Sequence, residues 1–255
     1  MTTLNYKKYG QGEPLIILHG LFGALDNWAT LGRKWAEHYT VYLVDLRNHG
    51  KSPHTESHTI GDMAEDVKNF IQQHDIRNPI VLGHSMGGKA AMELALSQPD
   101  LVSALIIADI GAQAYPRGHD HIIEAIRSVD PARMESRKDI EQKLSETIQD
   151  PGVVFFIAKN IDRTKEGYRW KMNIDTIERD YEEILKAIKT GRIFDKPTFL
   201  LRGGKSGYVT SENINLLRQL FPNIQIETIE GAGHWLHAEK PDEFEEQVRA
   251  IMKGV

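Results

Sequence analysis

The 255-residue chain has no cysteine, which removes disulfides, a thiol nucleophile and thiolate metal sites together. No run approaches the roughly 18 apolar residues that a spanning helix needs. The start, Met1-Thr2-Thr3-Leu4-Asn5-Tyr6-Lys7-Lys8, lacks the apolar stretch of a signal peptide. A basic excess is missing too: 31 Lys and Arg against 36 Asp and Glu leave a formal charge of -5, which opposes non-specific nucleic-acid binding. These absences predict a cytoplasmic protein with no nucleic-acid partner and no membrane span. Internal repeats and low-complexity segments are also absent. What remains suits one large domain, because a chain of this length buries roughly three quarters of its unfolded surface without covalent staples.

Short apolar runs alternate with amphipathic stretches. Runs at 15–18, 41–44, 80–82, 105–108, 198–201 and 224–229 read as buried parallel strands. Between them, residues 30–37, 60–74, 86–97, 211–220 and 242–252 read as helices, some with Ser or Asp near their starts. Residues 4–9, ended by Gly10-Gln11-Gly12, predict an antiparallel edge strand. The pattern is that of an α/β protein with a mostly parallel central sheet flanked by helices. It breaks once, between Gly111 and Phe194, where no convincing strand is visible and turn signals separate several helices. The expected organisation is therefore a core formed by residues 1–110 and 195–255, with a helical insertion at 111–194. Ile174, Ile177, Tyr181, Ile184, Leu185 and Ile188 recur at helical spacing and predict one apolar face over residues 173–189. Acidic and basic residues are equal in number across the insertion, so its charges read as solvated faces.

Gly83-His84-Ser85-Met86-Gly87 joins the apolar run 80–82 to a small-residue helix. A serine wedged there by glycines sits on a sharp turn that exposes its hydroxyl, and the helix N-terminus points backbone N–H groups at any oxyanion formed beside it. Ser85 is accordingly the candidate nucleophile. Such a serine needs a base, and His234, in Gly231-Ala232-Gly233-His234-Trp235 after the last strand, has the required placement: residues that follow strands of an open parallel sheet converge at its carboxyl edge. The loop His19-Gly20-Leu21-Phe22-Gly23 follows the first buried strand, which makes the Phe22 and Met86 amides the expected oxyanion-hole donors.

Together with Asp45-Leu46-Arg47-Asn48-His49-Gly50-Lys51-Ser52 and His237-Ala238-Glu239-Lys240-Pro241, these segments resemble an α/β-hydrolase fold serine esterase, most closely the bacterial YbfF-type esterases. The resemblance runs nearly end to end and is weakest in the insertion, which corresponds to that family's lid. It implies a carboxylesterase or acyl thioesterase that uses a Ser-acid-His triad and no cofactor. The usual position of the acid, after the strand 198–201, holds Arg202-Gly203-Gly204-Lys205-Ser206-Gly207-Tyr208 and no carboxylate. Asp109, which ends the strand 105–108, takes its place on the pattern of YbfF-type esterases; Asp26 and Asp195 are fallback acids. Ser206, at the vacated position, is expected to hydrogen-bond Asp109 or His234.

Trp28, Tyr115, Tyr208 and Trp235 are expected around an acyl pocket beneath the lid, although each reads equally well as core filling. The substrate expected is a small-molecule acyl ester or thioester; the sequence does not disclose chain length, leaving group or oligomeric state. Gly203-Gly204-Lys205-Ser206 lacks the first glycine of a phosphate loop, and His119-Asp120-His121 has no second cluster at metal-ligand spacing, so neither a nucleotide nor a metal is expected. The segment 45–50 reads as a structural turn. Three alternatives keep the fold: a cofactor-free perhydrolase, a carbon–carbon bond hydrolase and a non-catalytic ligand receptor.

Overall fold

The computed structural model describes residues 2–165, 167–189 and 191–255. Among the described residues nine strands form in chain order: β1 (Tyr6–Tyr9), β2 (Glu13–Leu18), β3 (Tyr39–Val44), β4 (Ile80–His84), β5 (Ala104–Ala108), β6 (Ile161–Thr164), β7 (Gly167–Trp170), β8 (Thr198–Gly203) and β9 (Ile224–Ile229). Seven of them build one sheet in the order β1-β3-β2-β4-β5-β8-β9. Every pairing is parallel except β1 with β3, so the edge strand expected at 4–9 is present and antiparallel.

Residues two apart along a strand face the same side, and here each side is covered by helices. Leu15 and Ile17 of β2, with Val41 and Leu43 of β3, pack with α1 (Ala29–Trp35) and the C-terminal helix α9 (Pro241–Lys253) through Trp35, Phe244 and Val248. Ile16, Leu18 and Val44 point the other way, into a cluster with Val67 and Phe70 of α2 (Ile60–Gln73) and Ala90, Ala91 and Leu94 of α3 (Met86–Ser97). The Thr59 hydroxyl accepts the Asp62 N–H at 3.1 Å, which starts α2 at the position the sequence marks. Burial on both faces explains the uninterrupted apolar runs of β2 to β5. Strand β9 departs from that expectation: as an edge strand it alternates half-buried and exposed residues.

The stretch between β5 and β8 contains α4 (Asp120–Ser128), α5 (Arg137–Leu144), α6 (Pro151–Ala158), α7 (Ile174–Arg179) and α8 (Tyr181–Leu185). Two sequence expectations need correction there. Strands β6 and β7 form an antiparallel hairpin, with Ile161 opposite Trp170. No residue of either strand is fully buried, so no alternation of apolar residues announced them. The apolar stripe over 173–189 is real, with Ile177, Tyr181, Ile184 and Ile188 buried, but Asp180 interrupts its helix between α7 and α8. Its carboxylate accepts the His58 N–H at 2.8 Å, tying the break to the loop before α2.

Candidate active site

The turn between β4 and α3 holds Ser85 at φ 52° and ψ -120°. A non-glycine residue in that region costs of order 1–3 kcal/mol and persists only where its surroundings enforce it. The surroundings do. A Cβ on Gly83 would lie 2.2 Å from the Gly87 carbonyl oxygen, and one on Gly87 would lie 2.5 Å from the Leu18 and His19 oxygens. Both glycines are therefore required by contact, and they pull the start of α3 onto the sheet. The Ser85 amide bonds Ala108 O at 3.0 Å, which fastens the turn to the neighbouring strand.

The strand order places the residue after β5 beside this turn and opposite the loop after β9. Ser85 Oγ lies 3.0 Å from His234 Nε2, and His234 Nδ1 lies 2.8 Å from Asp109 Oδ2. Asp109 is fully buried and has a positive φ of 51°. Its Oδ1 accepts the Gly203 N–H at 2.9 Å, and its Oδ2 accepts the Ser206 hydroxyl as well as the histidine. Three donors thus converge on the carboxylate, while the Asp109 N–H donates to Leu201 O at 2.8 Å and fixes the backbone. The fallback acids lie elsewhere: Asp26 pairs with Lys7 at the surface, and exposed Asp195 precedes β8 at the opposite end of the strand.

The His234 ring is held on both sides. Tyr208 stacks on it with centroids 3.9 Å apart and planes 17° apart. Beneath it, His84 Nε2 donates to the His234 carbonyl at 2.9 Å. Burial, helped by the nearby His237 and His234 rings, holds His84 well below the usual histidine range, so it is a neutral donor.

The oxyanion loop is arranged differently from the expectation. The Phe22 amide donates to His49 Nε2 at 3.1 Å, and the Phe22 carbonyl accepts Asn160 Nδ2 at 2.6 Å. With its N–H committed inside the fold, Phe22 is not available as an oxyanion donor. Neighbouring Leu21 and the first helical residue, Met86, have amides with no hydrogen-bond partner among the described residues. His49 acts as the acceptor because its Nδ1 donates to Arg47 O at 3.0 Å, and burial keeps the ring neutral. The turn 45–50 has the structural role expected of it: Asp45 accepts the amides of Leu25 and Lys51 and the side-chain amide of Asn5.

Two chambers meet at Ser85. The first, about 300 Å³ and mainly apolar, is bounded by Leu21, Met86, Ile110, Tyr115, Ile184 and Tyr208. At its side Lys89 is buried, with Nζ donating to the carbonyls of Ile184 at 3.1 Å and of Lys186. Burial pushes this lysine down to about 8. The second chamber, about 30 Å³, is large enough for roughly one water and is walled by Gly20, Trp28, Phe156, His234 and Trp235. Of the four residues expected around an acyl pocket, Tyr115 and Tyr208 border the first chamber, while Trp28 and Trp235 border the second. Trp28 is otherwise core, 1% exposed and stacked on His237 at 4.3 Å.

Sequence reasoning gave His49, His84, Asn160, Tyr181 and His119 no place around Ser85. His49 stood in a segment read as a turn, and His119 in a cluster examined only as a metal site. The signal that identifies them is spatial, since Asn160 reaches Phe22 across 138 residues of sequence.

Comparisons with known proteins place the fold in a family. Residues 13–241 match the α/β hydrolase fold family. The esterase YbfF of Escherichia coli K12 is 33% identical over 241 residues, covering 94% of this chain and 93% of that protein. An sn-1-specific diacylglycerol lipase, ABHD11 of Xenopus laevis, is 36% identical over 241 residues, covering 91% of this chain and 77% of that protein. Among solved structures, a marine microorganism esterase superposes with a TM-score of 0.95 at 41% identity, covering 98% of this chain and all of the other. The chain belongs to the α/β-hydrolase fold family, among its esterase and lipase-type hydrolases.

Proposed function

We propose that the protein hydrolyses carboxylic esters or thioesters through an acyl-enzyme on Ser85. The observation that carries this reading is the continuous hydrogen-bond chain from Ser85 Oγ through His234 to Asp109. His234 Nε2 removes the serine proton as Oγ attacks the carbonyl carbon. Asp109 keeps Nδ1 protonated, so that Nε2 is the basic nitrogen, and stabilises the imidazolium that results. The amides of Leu21 and Met86 receive the negative charge on the carbonyl oxygen; losing one such donor typically costs about 100- to 1,000-fold in rate. Collapse breaks the bond to the leaving group, which departs with the proton held on His234 Nε2. Water, activated by the same nitrogen, then attacks the acyl carbon and releases Ser85.

The first chamber receives the acyl chain, and residues 111–194 act as the lid that forms its outer wall. Tyr115 and Tyr208 flank the acyl group and Trp28 and Trp235 close the opposite side. Such a reaction needs no metal or organic cofactor. The test is turnover of p-nitrophenyl esters of increasing acyl length beside acyl thioesters, with and without prior fluorophosphonate labelling. The expected result is turnover that disappears in proportion to labelling of Ser85. Turnover that persists after complete labelling refutes the acyl-enzyme, and labelling without any turnover favours a ligand receptor on the same fold.

A further inference from the structure

Leu21, Ser85 and His119 are common to both chambers and so mark the seam between them. Ser85 supplies the attacking hydroxyl and Leu21 an amide, but the mechanism above leaves His119 unused. Its side chain is nevertheless fixed. The N–H groups of Gly118 and His119 donate to the Tyr181 hydroxyl oxygen at 3.3 and 3.1 Å. Both lone pairs of that oxygen are thereby taken, so its own hydrogen goes to His119 Nδ1, 2.6 Å away. With Nδ1 as acceptor, the proton of the neutral ring resides on Nε2. Burial, and then the nearby His234 and His121, push His119 down to about 4, which keeps the ring neutral near pH 7. Nε2–H has no partner among the described residues, and the ring sits edge-on to Phe22 at 6.2 Å, against the oxyanion loop.

On the reading above, an ester with its acyl chain in the first chamber has its reacting carbon at Ser85 and its bridging oxygen at the seam, since the second chamber, about 30 Å³, is too small to take a bulky alcohol portion. The atom that crosses the seam is the bridging oxygen. The carbonyl oxygen already has two amide donors, whereas the bridging oxygen has only His234. We propose that His119 Nε2–H donates a hydrogen bond to the bridging oxygen of the scissile ester, so that His119 selects oxygen esters and promotes departure of poor alcohol leaving groups. This rests on the ester-hydrolase reading above. When the tetrahedral intermediate collapses, the carbon–oxygen bond breaks and its electron pair stays on the bridging oxygen. The proton that completes the alcohol comes from His234, and His119 keeps its own. A thioether-type sulfur is a weak acceptor, so a thioester gains little from this donor.

The test measures kcat/KM, which reports acylation, for ethyl, phenyl and p-nitrophenyl esters and a thioester of one short acyl group. Removing a donor to a charge-bearing oxygen predicts that His119→Phe slows the ethyl ester about 10- to 100-fold and the p-nitrophenyl ester and thioester less than about threefold. His119→Gln, which keeps an N–H donor, restores part of the ethyl-ester rate. Tyr181→Phe, which frees the tautomer, gives the same order of substrates with smaller losses. Equal losses on all four substrates, or no loss on any, overturn the proposal. Failure of the unmodified protein to turn over any of them refutes the ester-hydrolase reading instead.

Discussion

Ser206 and His234 share one acceptor atom, Oδ2 of Asp109. The serine occupies the place after β8 where this fold usually supplies its acid, and the carboxylate bonded to His234 belongs to Asp109 at the end of β5. The hydroxyl adds a second proton donor to a carboxylate that is already bound at Oδ1 by the Gly203 amide. These bonds aim the Asp109 carboxylate at His234 Nδ1. Replacing Asp109 by Asn is expected to lower kcat/KM by about 10³- to 10⁴-fold, because an amide does not enforce the Nδ1–H tautomer. Ser206→Ala is expected to cost about 3- to 30-fold, in line with loss of one charge-assisted hydrogen bond that does not touch the reacting atoms. Steady-state kinetics on a p-nitrophenyl ester checks both. An Asp109→Asn variant that retains most of the activity would place the acid elsewhere.

The oxyanion loop makes a separate prediction. His49 and Asn160 hold the two sides of the Phe22 peptide, one from the turn after β3 and one from the insertion. His49→Phe leaves a buried N–H without a partner and should destabilise the fold by about 1–3 kcal/mol. Activity should fall more than the melting temperature alone explains, since the displaced residue adjoins the Leu21 amide. Urea denaturation read beside kcat for the same preparation separates the two effects; a variant with lowered stability and unchanged kcat would show that the loop does not position the oxyanion.

Stability is expected to fall in mild acid. Burial holds His58 and His237 each near 3 in the folded state. A histidine whose folded value lies below its unfolded value of about 6.5 contributes stability that is full above 6.5 and is lost as pH falls toward the folded value. Each contributes a slope approaching about 1.4 kcal/mol per pH unit, so the pair predicts a loss approaching about 3 kcal/mol between pH 6 and 5, where carboxylates barely titrate. Denaturant midpoints measured at pH 7, 6 and 5 check this. The combined variant His58→Asn and His237→Phe should make the profile shallower, with the remaining slope coming from buried His49, His84 and His119, whereas a native profile already flat over that range would contradict the burial argument.

How much of this was legible in the chain varies with the range of the interactions. Five buried strands and the turn around Ser85 were legible because local features set them: apolar runs of strand length, and two glycines at a point where any side chain would strike backbone. The choice of Asp109 rested on the resemblance, since no local pattern distinguishes it from a capping aspartate. Phe22 was misassigned because a one-residue choice within His19-Gly20-Leu21-Phe22-Gly23 depends on His49, 27 residues away. The β6–β7 hairpin escaped notice because neither strand has a buried face, so tertiary position rather than patterning holds it.

The most direct measurement is kcat/KM of Ser85→Ala for a p-nitrophenyl ester, with folding confirmed by an unchanged circular dichroism spectrum and melting temperature. Removing the nucleophile while leaving His234, Asp109 and the two amides in place is predicted to lower the rate by at least about 10⁴-fold, since the members of such a set act as a unit. A rate within tenfold of the unmodified protein would contradict the assignment of Ser85 as nucleophile.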